Sequence, residues 1–161
     1  MARLLTDACK AEANSRLVVL RLATLILRMR AGWAELFGDL DTAAIAMAVA
    51  SIHADRLLRD ENLSPEVRSL ETPLPEHMYG RCNIASVAVA AGLNRETARR
   101  KISKLVDAGI LVKEGSDVRL SAHLAQRGDL IKLVRAQVDH IRKTADELMR
   151  DGVIVYEGDS H

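Results

Sequence analysis

Residues Asn83 to Ser121 read NIASVAVAAGLNRETARRKISKLVDAGILVKEGSDVRLS. Asn83 and Asn94 each stand where an N-cap belongs, one before a short helix Ile84–Ala91 and one before a helix running to about Ala108. Between them Gly92 supplies the positive φ of a tight turn. Gly109 sits at the position that ends a helix in the left-handed conformation, and Ile110 can close back on Leu105 in a Schellman motif. Ile110–Lys113 and Val118–Ser121 then read as a hairpin closed by Glu114-Gly115-Ser116-Asp117, and Tyr79–Asn83 reads as a short strand leading in.

The second helix has two distinct faces. Ala98, Ile102, Leu105 and Val106 fall at i, i+4, i+7 and i+8, one side of the helix. Glu96, Thr97, Arg100, Ser103 and Lys104 lie opposite, with Arg95 at the N-terminal end. Ala88, Gly92 and Leu93 take the small, turn and apolar positions that let two helices cross closely. Together these residues predict a winged helix-turn-helix over 81–123, in a mainly α chain with long flanking helices and a small β-hairpin wing.

Charge is local rather than global. The whole chain carries a net +1, but residues 81–121 hold eight basic and four acidic side chains, a balance of +4. Residues 39–80 hold three basic and eight acidic ones, a balance of −5. A basic patch on a near-neutral chain fits a surface for polyanions. Cys9 and Cys82 form no CxxC, as expected in a reducing compartment. The most apolar run, Leu17–Leu27, contains Arg21 and is flanked by Arg16, Arg28 and Arg30, so it does not read as a membrane span or a signal peptide. The expectation is a cytoplasmic, prokaryotic protein.

Outward from the centre, residues 3–30 read as one long helix, apolar on most sides of its second half, ended by Ala31-Gly32. Trp33 and Phe37 follow in a short connection, where they plug a seam between helices or line an effector pocket with the 60–80 loop. Asp39 or Asp41 caps a helix Thr42–Arg59 that bears His53. Pro65, Pro73 and Pro75 break up a loop over 61–80, relieved by one or two helical turns in Pro65–Leu70. A last helix runs from about Leu124 to Arg150. Its apolar seam is Ile131, Val134, Val138, Ile141, Ala145 and Leu148, before a frayed tail from Gly152. The expected divisions are N-terminal helices over 1–60, which dimerise and can also supply the first helix of the domain, the loop 61–80, the winged helix 81–123, and a C-terminal dimerisation helix with its tail over 124–161.

The run Leu93-Asn94-Arg95-Glu96-Thr97-Ala98-Arg99-Arg100 resembles the recognition helix of the catabolite activator (CRP/FNR) family. That resemblance implies that Arg95, Glu96 and Arg100 read bases. Ala98 stands where a β-branched residue is commoner, a departure in packing rather than in chemistry. The likeness covers 81–121 only, and cyclic-nucleotide control does not carry over. The layout of helices on both sides of the domain loosely resembles the multiple-antibiotic-resistance repressor (MarR) family, from which the 60–80 loop departs.

The chemistry of these side chains agrees. Arginine forks suit guanine O6 and N7, and a glutamate accepts from cytosine N4. Thr97, Arg99, Lys101 and Lys104 suit phosphates, as do Asn83 and Ser86 on the preceding helix and Lys113 and Arg119 on the wing. The expected function is a homodimeric, sequence-specific DNA-binding transcriptional regulator with double-stranded DNA as partner. The alternatives are a winged-helix protein-interaction module, or a DNA-binding protein of replication, partition or phage origin. No enzyme motif, cofactor or metal is expected: His53, His77, His123, His140 and His161 are scattered, and a metal sensor built on Cys82 and His77 is the remote exception.

Overall fold

Why residues far from the centre fold as they do is decided by partners distant in sequence. The computed structural model describes residues 3–52, 54–59, 64–75, 78–125 and 127–157. His53, His77 and His161 lie outside the described residues. In chain order the elements are β1 (Leu4–Thr6), α1 (Ala8–Ala13), α2 (Ser15–Phe37), α3 (Leu40–Ile52), α4 (Ala54–Leu58) and α5 (Pro65–Arg68). Then come β2 (Cys82–Asn83), α6 (Ile84–Ala90), α7 (Arg95–Asp107), β3 (Leu111–Glu114), β4 (Asp117–Leu120), α8 (Ala122–Ala125), α9 (Gly128–Arg150) and β5 (Ile154–Tyr156). The chain is mainly helical with small antiparallel sheets.

Two compact units emerge: residues 33–133, and a discontinuous one made of 1–32 and 134–161. Neither coincides with the divisions expected at 60, 80 and 123. The stretch 81–123 is not a unit by itself, because α3 supplies part of its core.

In the 33–133 unit, α3, α6 and α7 pack around Ile45, Val49, Val87, Ile102, Leu105 and Leu111, all buried. Ala88 and Ala98 are buried as well, where small side chains allow close helix packing. Asn83 Oδ1 accepts from Ser86 N–H at 2.9 Å, and Asn94 Oδ1 from Thr97 N–H at 2.8 Å, so both expected N-caps form. Gly92 has φ +67° and Gly109 φ +69°, each the left-handed residue after a helix. Leu93 N–H donates to Ala88 O and Ile110 N–H to Leu105 O, both at 2.9 Å, closing two Schellman motifs. The three-stranded sheet has the order β2-β4-β3, with Cys82 opposite Val118 and Lys113 opposite Val118 on the other side. The lead-in strand is only Cys82–Asn83, shorter than Tyr79–Asn83, because only those residues reach β4.

Several expectations are corrected here. The helix expected over Thr42–Arg59 starts earlier, at Leu40, and its last helical residue is Leu58: α3 (Leu40–Ile52) and α4 (Ala54–Leu58) stand on either side of His53, which lies outside the described residues. Asp39, not Asp41, is its cap, accepting from Thr42 N–H and Oγ1, both at 2.8 Å. Gly32 does not end α2, which runs on to Phe37. A single glycine costs a long helix only about 1 kcal/mol. Trp33 and Phe37 therefore sit one turn apart on a helix, rings stacked at 6.0 Å, rather than in a connection.

In the other unit, residues 3–30 are not one helix. Leu4–Thr6 pair as β1 with β5, Leu5 opposite Val155, and Asp7 caps α1 by accepting from Lys10 N–H. The tail Ile154–Tyr156 is thus a strand rather than frayed. Arg21 joins α2 to the end of α9 through Glu147 at 2.7 Å and Asp151 at 2.9 Å. Gln137 Nε2 donates to Met29 O at 3.2 Å, so the two helices run antiparallel. No described helix is long and apolar enough to cross a membrane.

Candidate nucleic-acid interface

Helix α7 is seated by its apolar side: Ala98, Ile102 and Leu105 are buried, while Arg95, Glu96, Arg99, Arg100, Ser103 and Lys104 are exposed. Asn94 fixes where the helix starts, and the Gly109 turn leads straight into the hairpin beside it. Sequence periodicity thus assigned the faces of α7 correctly.

The cations sort into three groups. No carboxylate among the described residues pairs with Arg95, Arg100, Lys104 or Lys113, and all four are exposed. Arg99 is paired on the surface: its Nε and Nη2 donate to the two Glu96 oxygens at 3.1 and 2.6 Å. The Arg99 guanidinium holds the Glu96 carboxyl below its ordinary range, with a smaller contribution from Arg100. A base-reading Glu96 therefore has to leave Arg99, which exposure of both side chains makes cheap.

Lys101 and Arg119 are the third group: both were expected at phosphates, and both side chains are engaged within the chain. Lys101 Nζ lies 2.6 Å from Asp39 Oδ1, and the side chain is only 14 % exposed. It ties α7 to the cap of α3. On the helical wheel Lys101 borders the buried stripe on the α3 side, which turns it inward. Asp39 is held down to about 2, first by Lys101 and then by the Thr42 N–H. Arg119, likewise 14 % exposed, donates from Nε to Glu114 Oε1 at 2.7 Å, and its guanidinium lies 5.9 Å from the centre of the Tyr79 ring. Glu114 also holds Arg81 at 2.8 Å, and both arginines, Arg119 foremost, depress its carboxyl. Arg81, assigned no role from the sequence, thereby joins the approach to β2 to the hairpin.

The flanking positions are mixed. Asn83 commits its Oδ1 to the α6 cap; Ser86 is exposed, and Thr97 is half-buried beside the α7 cap. Arg99, Ser103 and Lys113 line one cleft of about 140 Å³ between α7 and the hairpin, floored by Ile84, Ile102 and Val106. Periodicity on α7 alone does not reveal that Ser103 and Lys113 line one cleft; the hairpin has to fold back first.

Among the described residues no group of three His, Cys, Asp or Glu side chains is placed to hold a metal ion. Cys82 is buried, its Sγ donating to Val118 O at 3.4 Å, and burial pushes the thiol up, away from the thiolate that metals bind. No protein-family model, no curated protein and no solved structure matches this chain.

Proposed function

We propose that this protein is a winged helix-turn-helix, sequence-specific DNA-binding transcriptional regulator that acts as a homodimer, and not an enzyme. The observation that carries the reading is α7: apolar side buried, and an outer side on which Arg95, Arg100 and Lys104 are exposed with no carboxylate partner among the described residues, as is the hairpin cation Lys113. A major groove admits one such helix, and residues near its N-terminus reach base edges. Arg95 and Arg100 read guanine, with Glu96 as the acceptor for cytosine once it leaves Arg99. Lys104, Lys113, Ser86 and the Arg99–Ser103 cleft receive phosphates, which fix register without reading sequence. Two copies place two α7 helices in successive major grooves about 34 Å apart, on an inverted repeat.

Genomic DNA fragments retained by the full chain at about 0.15 M salt, where the Debye length is about 8 Å, test this directly. A few enriched fragments sharing an inverted repeat are expected. Replacing Arg95 or Arg100 by Ala then costs about 1–3 kcal/mol of binding and relaxes specificity at one base position. Uniform retention that vanishes as salt rises, or an Arg100→Ala protein that binds its site like wild type, sinks the base-reading assignment.

A second reading, a winged-helix protein-interaction module, draws on a shallow groove lined by Ala44, Met47, Ala48, Ile52, Ala90 and Ala91, with Val89 82 % exposed nearby. An interaction module has no need of the α7 cations. Absence of DNA retention even at low salt favours it. A role in replication, partition or phage biology shares every residue argument above.

A further inference from the structure

Helix α2 is mostly apolar, yet it buries none of its residues. Its most covered side is the stripe Val18, Arg21, Leu25 and Met29, each half-buried. Arg21 and the Met29 carbonyl are joined to α9, so this stripe faces α9. On α9 the covered line is Gln137, Thr144 and Leu148. The apolar seam expected to pack on the first helix meets that line only at Leu148: Ile131 and Ala145 are half-buried, and Val134, Val138 and Ile141 are exposed. Within the chain, α9 packs through a partly polar stripe and leaves its apolar one open.

The open stripes of the two helices fall on one side. At about 100° per residue, Val19, Leu22 and Ile26 lie some 50–110° round α2 from its contact line. Val134, Val138 and Ile141 lie some 40–100° round α9 from its own line, in the same rotational sense. In two antiparallel right-handed helices, equal turns from facing contact lines lead to the same side of the pair. These six side chains are between 38 % and 64 % exposed and form one two-helix apolar face.

We infer that this face is covered by the same face of a second copy of this chain, so that α2 and α9 of two chains form a four-helix layer across a two-fold axis. The inference deepens the homodimer reading above and rests on it. Three observations favour a second copy. The face offers on the order of 500 Å² of apolar surface per copy, which matches the apolar two-thirds of a standard interface of roughly 800 Å² per partner. Ala145 continues the α9 side of the face and no charged side chain lies among its six apolar ones, so a two-fold axis brings no like charges together. Antiparallel helix pairs stacking through such faces are the ordinary four-helix arrangement. A lipid surface fits less well, because the charges flanking the face on α9 neutralise one another: Arg142 is held by Asp139 and Asp146, and Lys143 by Asp139. Membrane-surface helices carry an unpaired basic flank.

Sedimentation equilibrium of the full chain, without DNA, tests the face. Wild type is expected to be dimeric at about 10 μM, and Ile26→Glu and Val138→Glu to be monomeric, with dissociation constants raised at least about 100-fold. Leu17→Glu, the same chemical change on the opposite side of the helix pair, is expected to stay dimeric. Should a glutamate variant fail to fold by circular dichroism, Ile26→Ser and Val138→Ser carry the same test. A wild-type dimer that survives both substitutions overturns this face and leaves the homodimer standing. A wild type that is monomeric at about 100 μM overturns both. A dimer disrupted as expected in a protein that retains no DNA supports the face and removes the DNA reading.

Discussion

In α7 the apolar stripe Ala98, Ile102 and Leu105 is buried and the cations face outward; in α9 the apolar residues Val134, Val138 and Ile141 face outward and the covered line includes Gln137 and Thr144. Both helices are amphipathic, and the same periodicity argument describes both. For α7 the cover is local: the turn at Gly92 and the hairpin after Gly109 fold its neighbours onto it within about twenty residues, and α3 completes the cover. For α9 the neighbour is α2, more than a hundred residues earlier, and two ion pairs from Arg21 and a hydrogen bond to Met29 O join the two. Amphipathicity states that a face is to be covered. It does not state by what.

Truncating one side chain on each side of this contrast gives the largest effect. Ile102→Ala is expected to destabilise the 33–133 unit by about 2–5 kcal/mol, because Ile102 is buried at the centre of a packed core. Leu27→Ala, on the outer side of α2, is expected to change stability by no more than about 0.5 kcal/mol. Chemical denaturation of both variants checks this. A loss above about 2 kcal/mol for Leu27→Ala breaks the comparison, since it means that the outer side of α2 is also covered.

The two lysines of α7 sharpen the comparison within one helix. Lys104→Ala is expected to weaken binding to every DNA sequence alike and to lower the slope of log affinity against log salt by about 1. Lys101→Ala is expected to leave that slope unchanged and to lower thermal stability instead, because its ammonium lies on Asp39. Titrating DNA at several salt concentrations separates the two. An equal fall in slope for both returns Lys101 to the phosphate contacts.

The smallest expected effect concerns acid. Asp39 ionises at about 2 in the folded chain, below its ordinary carboxylate value near 4. Folding therefore gains from its ionised form above about pH 4, and that gain is lost as the pH falls towards 2. Since Asp39 is about half exposed, the gain is no more than about 1 kcal/mol, or about 2–4 °C of melting temperature at this chain size. Asp39→Asn keeps a capping side chain and removes the charge. Its melting temperature is expected to depend less steeply on pH between 4 and 2 than that of wild type; parallel curves dispose of the Lys101 link.

The candidate interface was legible in the sequence where the interactions are short-range. Asn83 and Asn94 cap helices three residues away, Gly92 and Gly109 end them, and the 3.6-residue period separates Ile102 from Arg100. The Glu96–Arg99 pair, three residues apart on one helix, was also within reach of that logic, since side chains at that spacing are neighbours. Lys101, Arg119 and Arg81 were not legible, because their partners Asp39 and Glu114 are specified by the packing of α7 on α3 and by the return of the hairpin. A charge count treats every cation as available; burial and ion pairing decide which are.

By itself the sequence determined the local units: the capped α6 and α7, their glycine turns, the hairpin after them, and the two faces of α7. These follow from backbone conformational preferences and helical period, which act over a few residues. Tertiary structure alone decided that Leu4–Thr6 and Ile154–Tyr156 pair as strands, that α2 continues through Gly32 to Phe37, and that α9 packs through Gln137 and Thr144 rather than through Val134 and Val138. The strand pairing and the α9 packing depend on partners brought from across the chain, whose hydrogen bonds and ion pairs outweigh what the local pattern prefers; the passage of α2 through Gly32 reflects how little one glycine costs a long helix.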